Sequence, residues 1–130
     1  MFHAKDVMAT DLVTVTPETP IFEALRILVE ANITGLPVVD HENNLKGIVS
    51  EKDLLQLLYN AAAGNDAVSS IMTENVTTFD VDDDLVDVCE CLINNAFRRV
   101  PILSQGKLAG IISRRDIIRF ILKVRKSETK

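Results

Sequence analysis

A mixed α/β (α+β) fold made of two copies of a βαββα unit is predicted for this 130-residue chain by three features of its sequence. The two halves align at an almost constant offset. Each half passes from a short β-branched run to a helical stripe and then to two short apolar runs. Each half also carries Gly-x-x-Ser-x-x-Asp where its last helix should begin, at Gly47–Asp53 and Gly110–Asp116. The repeats cover roughly 5–60 and 69–124, so we divide the chain into 1–64 and 65–130, two repeats of one integrated module.

An offset of 64 places Met8 on Met72, Thr14 on Thr78, Leu28 on Leu92 and Pro37 on Pro101. The offset drops to 63 after the turns His41-Glu42-Asn43-Asn44 and Gln105-Gly106-Lys107, which differ by one residue. Order and spacing agree over nearly the whole chain, which marks an internal duplication.

The β-branched runs Val13-Thr14-Val15 and Val76-Thr77-Thr78-Phe79 predict a first strand in each half. A helix follows, for which Thr19 is the expected N-cap and Pro20 the expected first residue. Ile21, Ala24, Leu25, Leu28 and Val29 form its apolar stripe, and Leu85, Val88, Cys89, Leu92 and Ile93 form the matching one. Two hairpins come next, Leu36–Asp40 with Leu45–Val49 and Val100–Leu103 with Leu108–Ile112. The closing helices are expected from Glu51 to Asn60 and from Arg114 to Val124, with 61–66 as a small, polar linker and 127–130 as a frayed tail. Both helices are apolar on more than one side. Leu57-Leu58 and Phe120-Ile121 would therefore favour a homodimer.

Composition removes several classes of function. A content of 47% hydrophobic and 25% charged residues is that of a globular protein able to bury a core. No apolar run approaches the roughly 18 residues of a membrane span, and Met1–Asp6 lacks a secretory pattern, so a cytoplasmic protein is expected. The net charge of −5 argues against nucleic acid, and five phenylalanines with one tyrosine offer little for stacking on single strands. Cys89 and Cys91 stand two apart on a helix and point to different faces, which suits buried thiols rather than a disulfide. His3 and His41 have no metal-ligand spacing, and neither has a Ser or Cys partner in a catalytic pattern. There is no Gly-rich phosphate loop with Lys. Neither an enzyme nor a requirement for a cofactor or metal is expected.

The Ser-x-x-Asp segments read in two compatible ways. Ser50 with Asp53, and Ser113 with Asp116, have the spacing of a capping box, in which the N-cap hydroxyl accepts from the N3 amide and the N3 side chain reaches back. The same helix start presents free amides and a positive dipole end to an anion, while Asp can accept from sugar hydroxyls. Arg98 and Arg99 lie just before a strand and could face a phosphate or form surface ion pairs.

Asp6-Val7-Met8, Ser70-Ile71-Met72, the loops Ile33–Asp40 and Phe97–Ile102, and both Gly-Ile-x-Ser-x-x-Asp segments together resemble a tandem pair of cystathionine β-synthase (CBS) domains. The resemblance covers almost the whole chain. It implies two repeats packed with pseudo-twofold symmetry, a Bateman module, with two clefts that in the family often bind AMP, ADP, ATP or S-adenosylmethionine and regulate a partner. Carried over by position, one cleft would use Ser113 for phosphate, Asp116 for ribose hydroxyls, Val13, Ile33, Thr34 and Gly35 around the base, and Arg98 and Arg99 toward the phosphate. The other would use Ser50 and Asp53 with Thr77, Phe97, Arg98 and Arg99. The first is favoured because Thr34-Gly35 leave room for a base, whereas Arg98-Arg99 would fill that place in the second. The expected function is a nucleotide sensor acting on another protein chain. The alternative is a structural or assembly module with unoccupied clefts.

Overall fold

A computed structural model describes residues 1–56, 59 and 66–128. The chain forms two compact units that exchange their leading segments: Val13–Val76 is one, and Met1–Leu12 with Thr77–Lys130 is the other. Each unit is thus completed by the segment that precedes the other repeat's first strand. Family resemblance and repeat spacing leave that exchange open.

In the unit Val13–Val76, helix α1 (Ile21–Ala31) precedes the antiparallel hairpin of β1 (Gly35–Val39) and β2 (Leu45–Ser50), and α2 (Glu51–Leu55) follows. Val15 alone of the expected first strand joins the ladder, as a parallel bridge to Val38, because only its amide and carbonyl meet the edge of β1. The N-cap of α1 is Pro20 and not Thr19, whose hydroxyl instead accepts from the Thr16 amide at 3.0 Å. Asn32 ends α1 in the left-handed region (φ 55°), where its amide and that of Ile33 close on the Leu28 carbonyl and turn the chain into Ile33-Thr34-Gly35. The expected continuation of α2 through Leu57, Leu58 and Asn60, and most of the expected linker 61–66, lie outside the described residues.

The other unit has β3 (Phe79–Asp80), α3 (Leu85–Asn94), β4 (Arg99–Ser104), β5 (Lys107–Ser113) and α4 (Arg114–Glu128), with strand order β3-β4-β5. β3 is parallel to β4 and is two residues long, shorter than the β-branched run suggests, because Val76–Thr78 do not reach a partner strand. β4 and β5 turn over Gln105-Gly106, both at positive φ, the two-residue geometry that matches strand twist. Asp84 caps α3 by accepting from Val86 N at 3.1 Å. α4 runs past Val124 through the segment expected to fray, and the Ser127 hydroxyl donates back to the Lys123 carbonyl at 3.2 Å.

The exchanged segments dock by the same bonds. A short 3-10 turn, Ala4–Asp6, donates from Ala4 N to the Asp83 carbonyl, and Val68–Ser70 donates from Val68 N to the Thr19 carbonyl. Ala4 and Val68 are fully buried in their respective cores. Val68 joins Ile21, Leu36, Val38 and Val49, while Ala4 joins Leu92, Val100, Ile102 and Ile112. Val29 and Ile93, expected within the helical stripes, are instead 79% and 77% exposed, since each stripe is buried along only one side. No helix among the described residues is long and apolar enough to cross a membrane. Cys89 and Cys91 are free thiols on α3, and partial burial pushes the Cys89 thiol above its ordinary pKa.

Candidate functional site

Both Ser-x-x-Asp segments end a strand and open a helix. In the unit Met1–Leu12 with Thr77–Lys130, Asp116 Oδ2 accepts from Ser113 N at 2.8 Å and from Ser113 Oγ at 2.9 Å. Ser113 Oγ in turn accepts from Asp116 N at 3.2 Å. In the other unit Asp53 Oδ2 accepts from Ser50 N at 2.9 Å and from Ser50 Oγ at 3.0 Å, and Asp53 N donates to Ser50 Oγ at 3.3 Å. Each pair is a completed capping box with Asp in the reaching-back role. Oδ2 is spent on the cap, so Oδ1 is the carboxylate oxygen each Asp has left for further chemistry.

The surroundings of the two carboxylates differ. Arg99 stands opposite Ser113 on the β4–β5 ladder, with exposed Arg98 and 38% exposed Phe97 preceding it. Arg114 Nη2 donates to the Asn95 carbonyl at 3.1 Å, tying the start of α4 to the loop that carries those residues. Arg119, one turn into α4, brings Nη1 to 3.9 Å from Asp116 Oδ1 while remaining 71% exposed. This end of the unit brings Arg99, Arg114 and Arg119 to Ser113 and the start of a 15-residue helix, with Arg98 next to Arg99 in the chain. Cationic side chains and a helix N-terminus both favour an anion.

At the corresponding end of Val13–Val76, Gly35 stands opposite Ser50 and Glu51 N donates to the Thr34 carbonyl at 3.1 Å. Small residues therefore border Ser50 and Asp53 where arginines border Ser113 and Asp116. Thr73 Oγ1 donates to Asp53 Oδ1 at 3.5 Å. Ile33 and Thr34 also line an open groove of about 520 Å³ with Leu25, Leu28, Leu54 and Leu55.

The structure thus groups the expected site residues by unit. Phe97, Arg98, Arg99, Ser113 and Asp116 belong to one, and Ile33, Thr34, Gly35, Ser50 and Asp53 to the other. Val13, 43% exposed, begins the second of these units, and exposed Thr77 follows its end as part of the first. Sequence reasoning missed Thr73 and Arg119 as neighbours of the Ser-Asp pairs. Arg119 was within reach of it, because i and i+3 share a helix face. Thr73 depends on segment docking, and the bond from Arg114 to the Asn95 carbonyl on loop packing, which no local spacing records.

The CBS domain family pattern matches residues 4–60 and again 68–123. Among solved structures the chain is similar to CBSX2 of Arabidopsis thaliana in complex with AMP, at 33% identity and TM-score 0.88, covering 96% of this chain and 99% of that one. It is similar as well to the CBS domain pair of protein MJ0100 in complex with 5′-methylthioadenosine and S-adenosyl-L-methionine, at 28% identity and TM-score 0.80, covering 93% and 96%. Among curated relatives, CBSX1 of Arabidopsis thaliana is 32% identical over 90% of this chain. The chain spans 62% of the length of CBSX1 and 42% of that of protein MJ1225 of Methanocaldococcus jannaschii, which is 29% identical.

Proposed function

The chain belongs to the CBS domain family, both halves matching its pattern, and from that premise we propose that it is a non-catalytic regulatory module that binds an adenosine compound and modulates a partner protein. The observation that carries this reading is the similarity, over almost the whole of both chains, to a CBS pair in complex with AMP. AMP, ADP, ATP and S-adenosylmethionine share the groups the site chemistry addresses, a ribose diol and an adenine, and the nucleotides add a phosphate.

Asp116 and Ser113 are the proposed ribose and phosphate contacts, with Arg98 and Arg99 neutralising the phosphate. Support comes from the arginines bordering Ser113 and from the N-terminus of α4. Val13, Ile33, Thr34 and Gly35 belong to the other unit, and their proposed role is to enclose the base. Ser50, Asp53, Thr77 and Phe97 are proposed as a weaker second set. Exposed Ile118, Ile121 and Leu122 on α4 support a homodimer, since a helix face of this kind gains by being covered.

A second reading, an assembly module without a ligand, is favoured by one observation: both Ser-Asp pairs are already satisfied as helix caps. Calorimetric titration of the full chain with AMP, ATP and S-adenosylmethionine separates the two. Binding, weakened at least about tenfold by Asp116→Ala as expected for a lost hydrogen bond to a charged group, and less by Asp53→Ala, supports the sensor. Equal losses overturn the ranking of the sites, and no binding of any of the three supports the assembly module.

A further inference from the structure

Because one Asp in each unit keeps only Oδ1 for a ligand, what else reaches that oxygen decides whether the carboxylate is open. In each unit the exchanged segment crosses the edge of the hairpin and pairs with its second strand. Thr73 and Ile48 exchange N–H to carbonyl bonds of 2.9 Å each, and Ala9 and Ile111 exchange bonds of 2.8 and 3.0 Å. The crossing is close in both because the strand residue beneath it is glycine. A Cβ on Gly47 would stand 2.7 Å from the Thr73 carbonyl oxygen, and one on Gly110 would stand 2.9 Å from that of Ala9.

Residues 9 and 73 therefore occupy the same register position in their two units, and they differ in one respect that matters to the site. Thr73 has a hydroxyl, and it lies 3.5 Å from Asp53 Oδ1, at the outer limit of a hydrogen bond. Ala9 has none. Among the described residues, Asp116 Oδ1 accepts no hydrogen bond and faces only the solvent-exposed Arg119 guanidinium at 3.9 Å.

We propose that the residue at this crossing point sets which carboxylate better receives ligand hydroxyls: Ala9 leaves both sites of Asp116 Oδ1 open to them, and Thr73 takes one site of Asp53 Oδ1. This inference rests on the reading of the chain as an adenosine-binding module and assigns to Ala9 and Thr73 a selecting role in it. A hydroxyl at position 9 takes one of the two lone-pair sites on the oxygen the cap does not use, sites that the two hydroxyls of a ribose diol would otherwise share.

The test is calorimetric titration of AMP into the full chain carrying Ala9→Thr, Ala9→Ser or Ala9→Val. Ala9→Thr and Ala9→Ser are expected to weaken AMP about fivefold, the size of one hydrogen bond. Ala9→Val, which matches Thr in shape without the hydroxyl, is expected to bind within about twofold of wild type. Ala9 is exposed, and circular dichroism of the unliganded variants checks that all remain folded. Wild-type affinity in Ala9→Thr and Ala9→Ser, tighter binding in either, or an equal loss in Ala9→Val overturns the inference while leaving the proposed function in place. No AMP binding by the wild-type chain overturns both.

Discussion

The unit Val13–Val76 and the unit built from Met1–Leu12 and Thr77–Lys130 repeat one core and differ in residues that border the Ser-Asp pair. Ile21 and Leu85, Leu28 and Leu92, Val38 and Ile102, and Val49 and Ile112 are buried at matching places. The differences sit on the rim. α1 leaves through a left-handed Asn32 into Thr34-Gly35, whereas α3 leaves through an extended Asn95 into Phe97-Arg98-Arg99. The β1–β2 turn is organised by Asp40, while the β4–β5 turn is the two residues Gln105-Gly106. A duplicated core demands matching apolar volume, but a rim position is free to exchange a hydroxyl for a methyl or a glycine for an arginine. Two sites built on one scaffold therefore need not do the same work.

The largest expected effect concerns the exchange of leading segments. A fragment spanning 13–76 retains Val68, Ile71 and Met72 against its core, whereas a fragment spanning 1–64 lacks them and carries Ala4 without the core it fills. Circular dichroism should show ordered structure in the first and a largely unfolded chain in the second. Comparable signals from both would break the division into units described above.

Next in size are the two glycines under the crossing segments. Gly47→Ala drives a methyl against a backbone oxygen at 2.7 Å, while Gly110→Ala meets the Met8 sulfur at 2.6 Å, which can swing aside, and a backbone oxygen at 2.9 Å. Overpacking of this kind costs about 1–3 kcal/mol. Urea unfolding should place Gly47→Ala at the upper end and Gly110→Ala below it, and the reverse order would show that the Met8 contact is the stiffer one.

The caps should respond alike where the sites do not. Ser50→Ala and Ser113→Ala each remove a capping hydroxyl, worth about 1 kcal/mol. Similar losses in urea unfolding would leave the unequal response of Asp116 and Asp53 to AMP as a property of the ligand site alone. A loss confined to one Ser would mean that the two boxes differ in the cap itself.

The smallest effect is an acid one. Hydrogen bonds from the Asn44 side chain and amide, then from the Glu42 amide, and the nearby Lys46 ammonium hold the Asp40 carboxyl at about 2, below its ordinary 3.8. A depressed folded-state pKa means that ionised Asp40 favours the fold above the unfolded value, with the contribution lost as pH falls from about 3.8 to about 2. Unfolding midpoints of Asp40→Ala should change less over that window than those of wild type. Parallel curves would show that the β1–β2 turn is indifferent to this charge.

Much of the fold was legible because duplication doubles every local signal. The helical stripes over Ile21–Leu28 and Leu85–Leu92, the two hairpins and the one-residue change of offset at their turns all follow from period, composition and turn chemistry. The Ser-Asp pairs were equally legible, since a capping box is complete within four residues. Thr19 misled as an N-cap because its hydroxyl had a nearer partner in Thr16 N. The first strands were overstated because β-branching reports an extended backbone, whereas a ladder needs a partner edge.

Local periodicity and spacing determined by themselves that this chain is a duplicated α/β protein with a Ser-Asp cap at the head of each closing helix, while its kinship with CBS domains rests on the likeness of its motifs to that family. Only the tertiary structure decided that Met1–Leu12 completes the unit of the second repeat, and that Thr73 stands beside Asp53 while Ala9 takes the matching register position, paired with Ile111. The physical reason is that a cap is made by residues three apart, which the sequence shows directly. A hydroxyl donated across 20 residues depends on where a segment docks, and Met8 and Met72 read the same whichever core they cover.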